Sequence, residues 1–199
     1  MKAAKRFNNL GRIFVISGPS GSGKTTLLTS LVQDKKIGKR LVKSCSLTTR
    51  PKRSGEREAR EYFFVSPREF ERLLKAKKIL EWTRYLGYYY GTPKEGLEEQ
   101  LKAGKNVGIC LDLKGSRIIK KLYPDNAVTI FVLPPSLGVL KERIQNRCSH
   151  THQEEVRQRL LLARRELQAA KEFDYSILNQ NLPVALKKLK SIFLKESSV

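Results

Sequence analysis

The stretch Gly18-Pro19-Ser20-Gly21-Ser22-Gly23-Lys24-Thr25 constrains this chain more than any other part of it. It satisfies in full the pattern G-x-x-x-x-G-K-[ST], in which glycines let successive backbone N–H groups turn inward around a phosphate. The flanks agree with that reading. Ile13-Phe14-Val15-Ile16 is a short apolar run suited to a buried strand, and Leu27, Leu28, Leu31 and Val32 then recur at helical spacing. A strand–loop–helix unit places the positive end of a helix dipole beneath the loop. Lys24 is expected to reach the β- and γ-phosphates of a nucleoside triphosphate, and the Thr25 hydroxyl to ligate Mg²⁺. The loop specifies phosphate chemistry and leaves ATPase, GTPase and kinase readings open.

Further apolar runs at 108–111, 128–133 and 175–178 read as strands. Helical segments are predicted over 115–122, 137–147 and 183–194. Strands alternating with helices imply a mostly parallel sheet covered on both faces. Two segments interrupt the alternation. Residues 45–95, rich in Arg, Glu and Tyr with a predicted helix over 67–77, read as an inserted substrate domain. Residues 147–170 read as a charged helix carrying Arg157, Arg159, Arg164 and Arg165, and as a mobile lid. The expected organisation is one domain, with its core in 11–44, 96–146 and 171–199.

Composition narrows the function classes. At 199 residues the chain suits a single α/β domain, and no run of about 18 apolar residues exists to span a membrane. The basic N-terminus is followed only by the short strand at Ile13, unlike a signal peptide, so a cytoplasmic protein is expected. Cys45, Cys110 and Cys148 form no C-x-x-C pair and fit a reducing compartment. His150 and His152 lie in a polar stretch without metal-ligand partners and read as a solvated loop. The net charge of +21 draws polyanions, but it is spread along the chain and aromatics are only 8%. Incidental polyanion binding is expected, with no dedicated nucleic-acid partner.

The segment 44–56, Ser-Cys-Ser-Leu-Thr-Thr-Arg-Pro-Lys-Arg-Ser-Gly-Glu, followed by Tyr62-Phe63-Phe64-Val65-Ser66, resembles guanylate kinases. Glu81-Trp82, Tyr89-Tyr90-Gly91-Thr92 and Pro134-Pro135-Ser136 with Leu140, Arg143 and Arg147 extend the resemblance, in order, from about residue 12 to residue 194. It implies a three-layer P-loop kinase fold with a mostly parallel central sheet, a GMP-binding insert (45–95) and a helical lid (147–170). It implies phosphoryl transfer from ATP to GMP with Mg²⁺, a step of purine nucleotide metabolism and GMP recycling.

The residue chemistry suits this. A dianionic phosphate is held by arginines and tyrosine hydroxyls through charge-assisted hydrogen bonds, and Arg50, Arg53, Tyr62 and Tyr90 are the candidates. Guanine presents N1–H and a 2-amino group as donors, and a carboxylate accepts both; Glu81 matches the family residue with that role. Ser46 and Thr92 match the family's hydroxyl contacts to the base. Glu56 and Asp112 fall on family positions near the nucleotide pair, where carboxylates arrange arginines or Mg²⁺-bound water. Lys24, Arg50 and the lid-side Arg143, Arg147 and Arg159 are the expected transfer residues, whereas Arg164 and Arg165 read as solvated. Transfer of this kind needs no covalent nucleophile, only positioned phosphates and neutralised charge.

Three positions depart from the family pattern. Cys110 stands where an acid is usual before Asp112, Ala59-Arg60-Glu61 where Gly and Asp commonly precede the tyrosine, and Asn179-Gln180-Asn181 where Asn-Asp-Asp is common. Cys110 is expected to serve packing. The competing reading is a guanylate-kinase-like binding module without catalysis. Such modules have a degraded P-loop, and here the loop and Lys24 are complete.

Overall fold

The strand β1 (Ile13–Ser17) is buried from end to end, and its two faces sort most of the other elements. The computed structural model describes residues 10–146 and 153–197. After β1 come α1 (Lys24–Val32), β2 (Leu41–Lys43), β3 (Ser46–Thr48), β4 (Tyr62–Phe64), α2 (Pro67–Lys75), β5 (Ile79–Tyr85) and β6 (Tyr88–Pro93). Then follow α3 (Lys94–Lys102), β7 (Asn106–Cys110), α4 (Leu113–Leu122), β8 (Ala127–Leu133), α5 (Leu137–Gln145), α6 (Gln153–Gln168), β9 (Tyr175–Leu178) and α7 (Leu182–Glu196).

The central sheet has the order β2-β7-β1-β8-β9, with every neighbouring pair parallel. Phe14 and Ile16 pack on one side with Leu27, Leu28 and Leu31 of α1 and Leu189 and Phe193 of α7. Ile13 and Val15 pack on the other side with Leu97 and Leu101 of α3 and Ile119 of α4. Both faces are thus covered, which is why β1, β7 and β8 read as continuous apolar runs. The result is the expected three-layer α/β architecture with a parallel central sheet.

A second sheet, β4-β3-β6-β5, comes wholly from residues 46–93. Its β3–β4 pair is parallel, while β3–β6 and β5–β6 are antiparallel. Leu47, Phe70 and Ile79 form its own small core, with Trp82 and Tyr89 packed against them. Only Ser44 and Cys45 separate β2 from β3, so this sheet springs from an edge strand of the first.

Several boundaries moved for identifiable reasons. The helix predicted over 67–77 is capped by Ser66 and ends at Lys75, because Lys77 takes φ 54°. The helix predicted from 115 starts at Leu113, where Asp112 accepts from the Gly115 N–H at 2.8 Å. The final helix starts at Leu182 behind its Asn181 cap and runs to Glu196. β2, α3 and the strands of the second sheet were not anticipated. Residues 147–152, with Arg147, Cys148, His150 and His152, lie outside the described residues. No helix among the described residues is long and apolar enough to cross a membrane.

Candidate functional site

The glycine-rich loop joins β1 to α1, and its shape is held from three directions. Ser22 N–H donates to Pro19 C=O at 3.1 Å, closing a turn within the loop. Lys24 Nζ curls back to donate to Gly18 O at 2.6 Å and Pro19 O at 3.0 Å. The buried Asn179, at the end of β9, donates from Nδ2 to Ser22 O at 2.8 Å. Gly23 takes φ 97°, and a Cβ there would stand 2.2 Å from Asn179 Nδ2, so both its conformation and this clamp require glycine.

A cavity of about 740 Å³ opens over this loop and extends to the second sheet. Gly18, Ser20, Gly21, Gly23, Lys24 and Thr25 line its loop end. Ser46, Arg50, Arg53, Tyr62, Glu81 and Tyr90 line the end built by residues 46–93. Asp112, Arg143 and Arg159 also reach it. Pro19 and Ser22 belong to the loop without lining the cavity, and Glu56 and Thr92 stand behind its wall. Arg147 is outside the described residues.

Arg50 is 8% exposed and is fixed by its neighbours. Its Nη2 donates to both Glu56 oxygens at 2.8 and 2.9 Å, and its Nη1 to Pro51 O at 2.6 Å. The rings of Tyr62 and Phe64 lie 5.6 and 5.9 Å from the guanidinium carbon. Burial pushes the Glu56 carboxyl up, but the Arg53 N–H and the Arg50 guanidinium outweigh it and hold the group below its usual range. Arg50 is therefore a preset cation, with one carboxylate committed to orienting it.

Glu81 is 4% exposed and accepts from Thr92 Oγ1 at 2.5 Å. Burial raises its carboxyl to about 7, with Asp112 adding to the rise and the Thr92 hydroxyl opposing it. Thr92 itself is fully buried, so its hydroxyl acts on Glu81 rather than on the cavity.

At the loop end, Arg159 of α6 donates to Ser20 Oγ at 2.6 Å and to Glu155, and stands 5.7 Å over the Tyr85 ring. Arg143 of α5 donates to Asn179 O at 3.1 Å, while its Nη1 is buried with no hydrogen-bond partner among the described residues. Arg164 and Arg165 are exposed.

Tyr85 and Glu166 line the same cavity and were not singled out from the sequence. Glu166 follows Arg159 by seven residues on α6, two helical turns along one face. That spacing is the signal that could have found it. Burial pushes its carboxyl to about 7; Lys24 opposes the rise and Asp112 adds to it.

Thr25, Asp112 and Glu166, whose side chains carry oxygens of the kind a divalent cation takes, all line this cavity. No group of three or more His, Cys, Asp or Glu that could hold a metal gathers among the described residues. Mg²⁺ takes one or two protein oxygens and completes its octahedron with phosphate and water. Cys110 is packed beside this set, and burial raises its thiol against the opposing effects of Lys24, Lys43 and the Thr25 hydroxyl.

The wall carries Lys24, Arg50, Arg53, Arg143 and Arg159 against Glu81, Asp112 and Glu166. Such a cavity attracts phosphate at two places, the loop and the Arg50–Arg53 end, and offers one buried acceptor for a base.

The guanylate kinase family model matches residues 10–196. A guanylate kinase of Synechocystis sp. is 41% identical over 186 residues, covering 94% of this chain and 95% of its own. One from Rickettsia prowazekii is 40% identical over 191 residues, covering 96% and 94%. The crystal structure of guanylate kinase from Anaplasma phagocytophilum superposes with a TM-score of 0.76 at 29% identity, covering 95% of this chain and 87% of that one.

Proposed function

The chain belongs to the guanylate kinase family and is an ATP:GMP phosphotransferase, and we propose a division of labour between the two ends of its cavity. The glycine-rich loop, Gly18 to Thr25, takes the ATP phosphates, and the end formed by residues 45–95 takes GMP. The observation that carries this is the single cavity shared by a complete phosphate loop, a preset Arg50 and a buried Glu81 acceptor.

Arg50 and Arg53, with the hydroxyls of Tyr62 and Tyr90, hold the GMP phosphate. Glu81 accepts from guanine N1–H and the 2-amino group, Ser46 adds a hydroxyl contact, and Thr92 orients the Glu81 carboxylate. Glu56 acts through Arg50, since both its oxygens are engaged there. On binding ATP, Lys24 exchanges the loop carbonyls of Gly18 and Pro19 for phosphate oxygens. Arg143 and Arg159, with Arg147, neutralise charge on the group in transit. The buried Nη1 of Arg143, without a hydrogen-bond partner among the described residues, supports its part in this.

Bound Mg²⁺ supplies charge neutralisation at the β- and γ-phosphates. Thr25 would hold it directly and Asp112 through water. The segment 147–170 closes as a lid and excludes water, so that the phosphoryl group passes to GMP rather than to solvent. No observation favours a non-catalytic binding module; the complete loop and the cavity-lining Lys24 run against it.

Product analysis tests the proposal. ADP and GDP are expected in equal amounts from ATP and GMP, with ADP release far slower when GMP is omitted. Lys24→Met should lower turnover by about a thousandfold while GMP still binds. ADP release at an equal rate without GMP, or full turnover in the lysine variant, would contradict it.

A further inference from the structure

Thr92 Oγ1 donates to one oxygen of Glu81, Oε1. The other, Oε2, lies against the first turn of α4, where Asp112 caps the helix and residue 115 has no side chain. A Cβ on Gly115 would stand 2.6 Å from Glu81 Oε2 and 3.1 Å from its Cδ, well inside contact distance, with Asp112 Oδ1 at 3.3 Å. The helix itself does not call for glycine here. Gly115 is an ordinary α-helical position outside the left-handed region, and alanine is the better helix former. What the missing side chain provides is room for the carboxylate.

We propose that Gly115 is a specificity-determining positioning residue: the space left by its bare Cα is the seat of the Glu81 carboxylate, so the first turn of α4 sets where the guanine edge is read. The inference rests on the reading of Glu81 as the guanine acceptor. A Cβ at 115 displaces Glu81 rather than the helix, because the two are anchored unequally. α4 is fixed by the Asp112 cap, by Ser116 Oγ donating to Asp112 O at 2.7 Å, and by the fully buried Ile119. Glu81 Oε2 is the tip of a side chain with rotatable bonds. Lys114 grips the same strand from the next position, its Nζ lying 4.9 Å over the Trp82 ring. The helix turn thus presses on β5 where the acceptor leaves it.

The test is a double-mutant cycle over Gly115→Ala and Glu81→Ala, read as KM for GMP, KM for ATP, kcat and melting temperature. Gly115→Ala alone should raise KM for GMP by about 10- to 100-fold, the loss of one or two hydrogen bonds to a charged acceptor. KM for ATP should stay as it is. In the Glu81→Ala background the same change should leave KM for GMP where Glu81→Ala put it and should raise the melting temperature, since the clash is gone and alanine favours the helix. A wild-type KM for GMP in Gly115→Ala, or a further rise in the Glu81→Ala background, would overturn the proposal. So would an unfolded double variant, which would make the glycine a requirement of the backbone. Failure of the underlying reading shows separately, as Glu81→Ala with unchanged KM for GMP.

Discussion

Among single residues, Glu81 has the sharpest consequences. Its carboxyl titrates near 7 in the fold against an ordinary value of 4.5. Between those pH values the folded chain holds a proton that the unfolded chain has released, so stability from this group falls as pH rises through the window. The full difference amounts to roughly 3 kcal/mol above pH 7. Glu81→Gln should therefore raise the melting temperature at pH 8 and change it little at pH 4.5, as thermal melts at the two pH values would register. Guanine donors favour the charged form, so GMP affinity should climb as pH rises through about 7. The GMP phosphate also ionises at about 6, and the Glu81→Gln variant, which keeps that titration and lacks the other, separates the two in calorimetry. Equal pH profiles in both proteins would contradict the role of Glu81. Arg50 and Arg53 were legible because they sit in one short local motif, and Glu81 through the family resemblance. Tyr85, Glu166 and the clamp by Asn179 were not. They reach the cavity from the end of β5, from α6 and from the end of β9, and the tertiary fold brings them to the loop.

At the scale of elements, the sequence was readable where burial was two-sided. β1, β7 and β8 appear as apolar runs, and α1 and α7 carry regular apolar spacing. α3 escaped because only Leu97 and Leu101 face the core within KEGLEEQLK, a stripe too narrow to stand out. In the second sheet β3 and β4 escaped because each has only three residues, and β5 and β6 because polar, charged and partly exposed residues break up their apolar pattern. Two of its connections also run against local preference. Lys77 ends α2 in the left-handed region, with Lys77 N–H donating to Leu74 O and Lys78 N–H to Leu73 O, a geometry that favours glycine. Leu86 takes φ 48° before Gly87 in the two-residue turn between β5 and β6, where asparagine is preferred. Lys77→Gly should stabilise the protein by about 1 kcal/mol, raising the melting temperature by about 2–4 °C with KM for GMP unchanged. A lower melting temperature would show that the Lys77 side chain contributes more than its backbone costs.

For the whole molecule, the proposed function divides two nucleotides between the two sheets. The parallel sheet carries the phosphate loop at the end of β1, and the mixed sheet carries Arg50, Glu81 and Tyr90. The net charge of +21 is spread along the chain, and in this cavity five cations face three carboxylates, an excess that suits polyanionic substrates. On the proposed function, this cavity pairs ATP with a guanine monophosphate and no other. Steady-state assays with MgATP and each of GMP, AMP, CMP and UMP measure it most directly. GMP should lead AMP in kcat/KM by about 10⁴-fold, because a buried acceptor left unpaired is costly, and Glu81→Gln should narrow that gap while transfer from ATP persists. Turnover with AMP equal to or better than that with GMP would contradict the account.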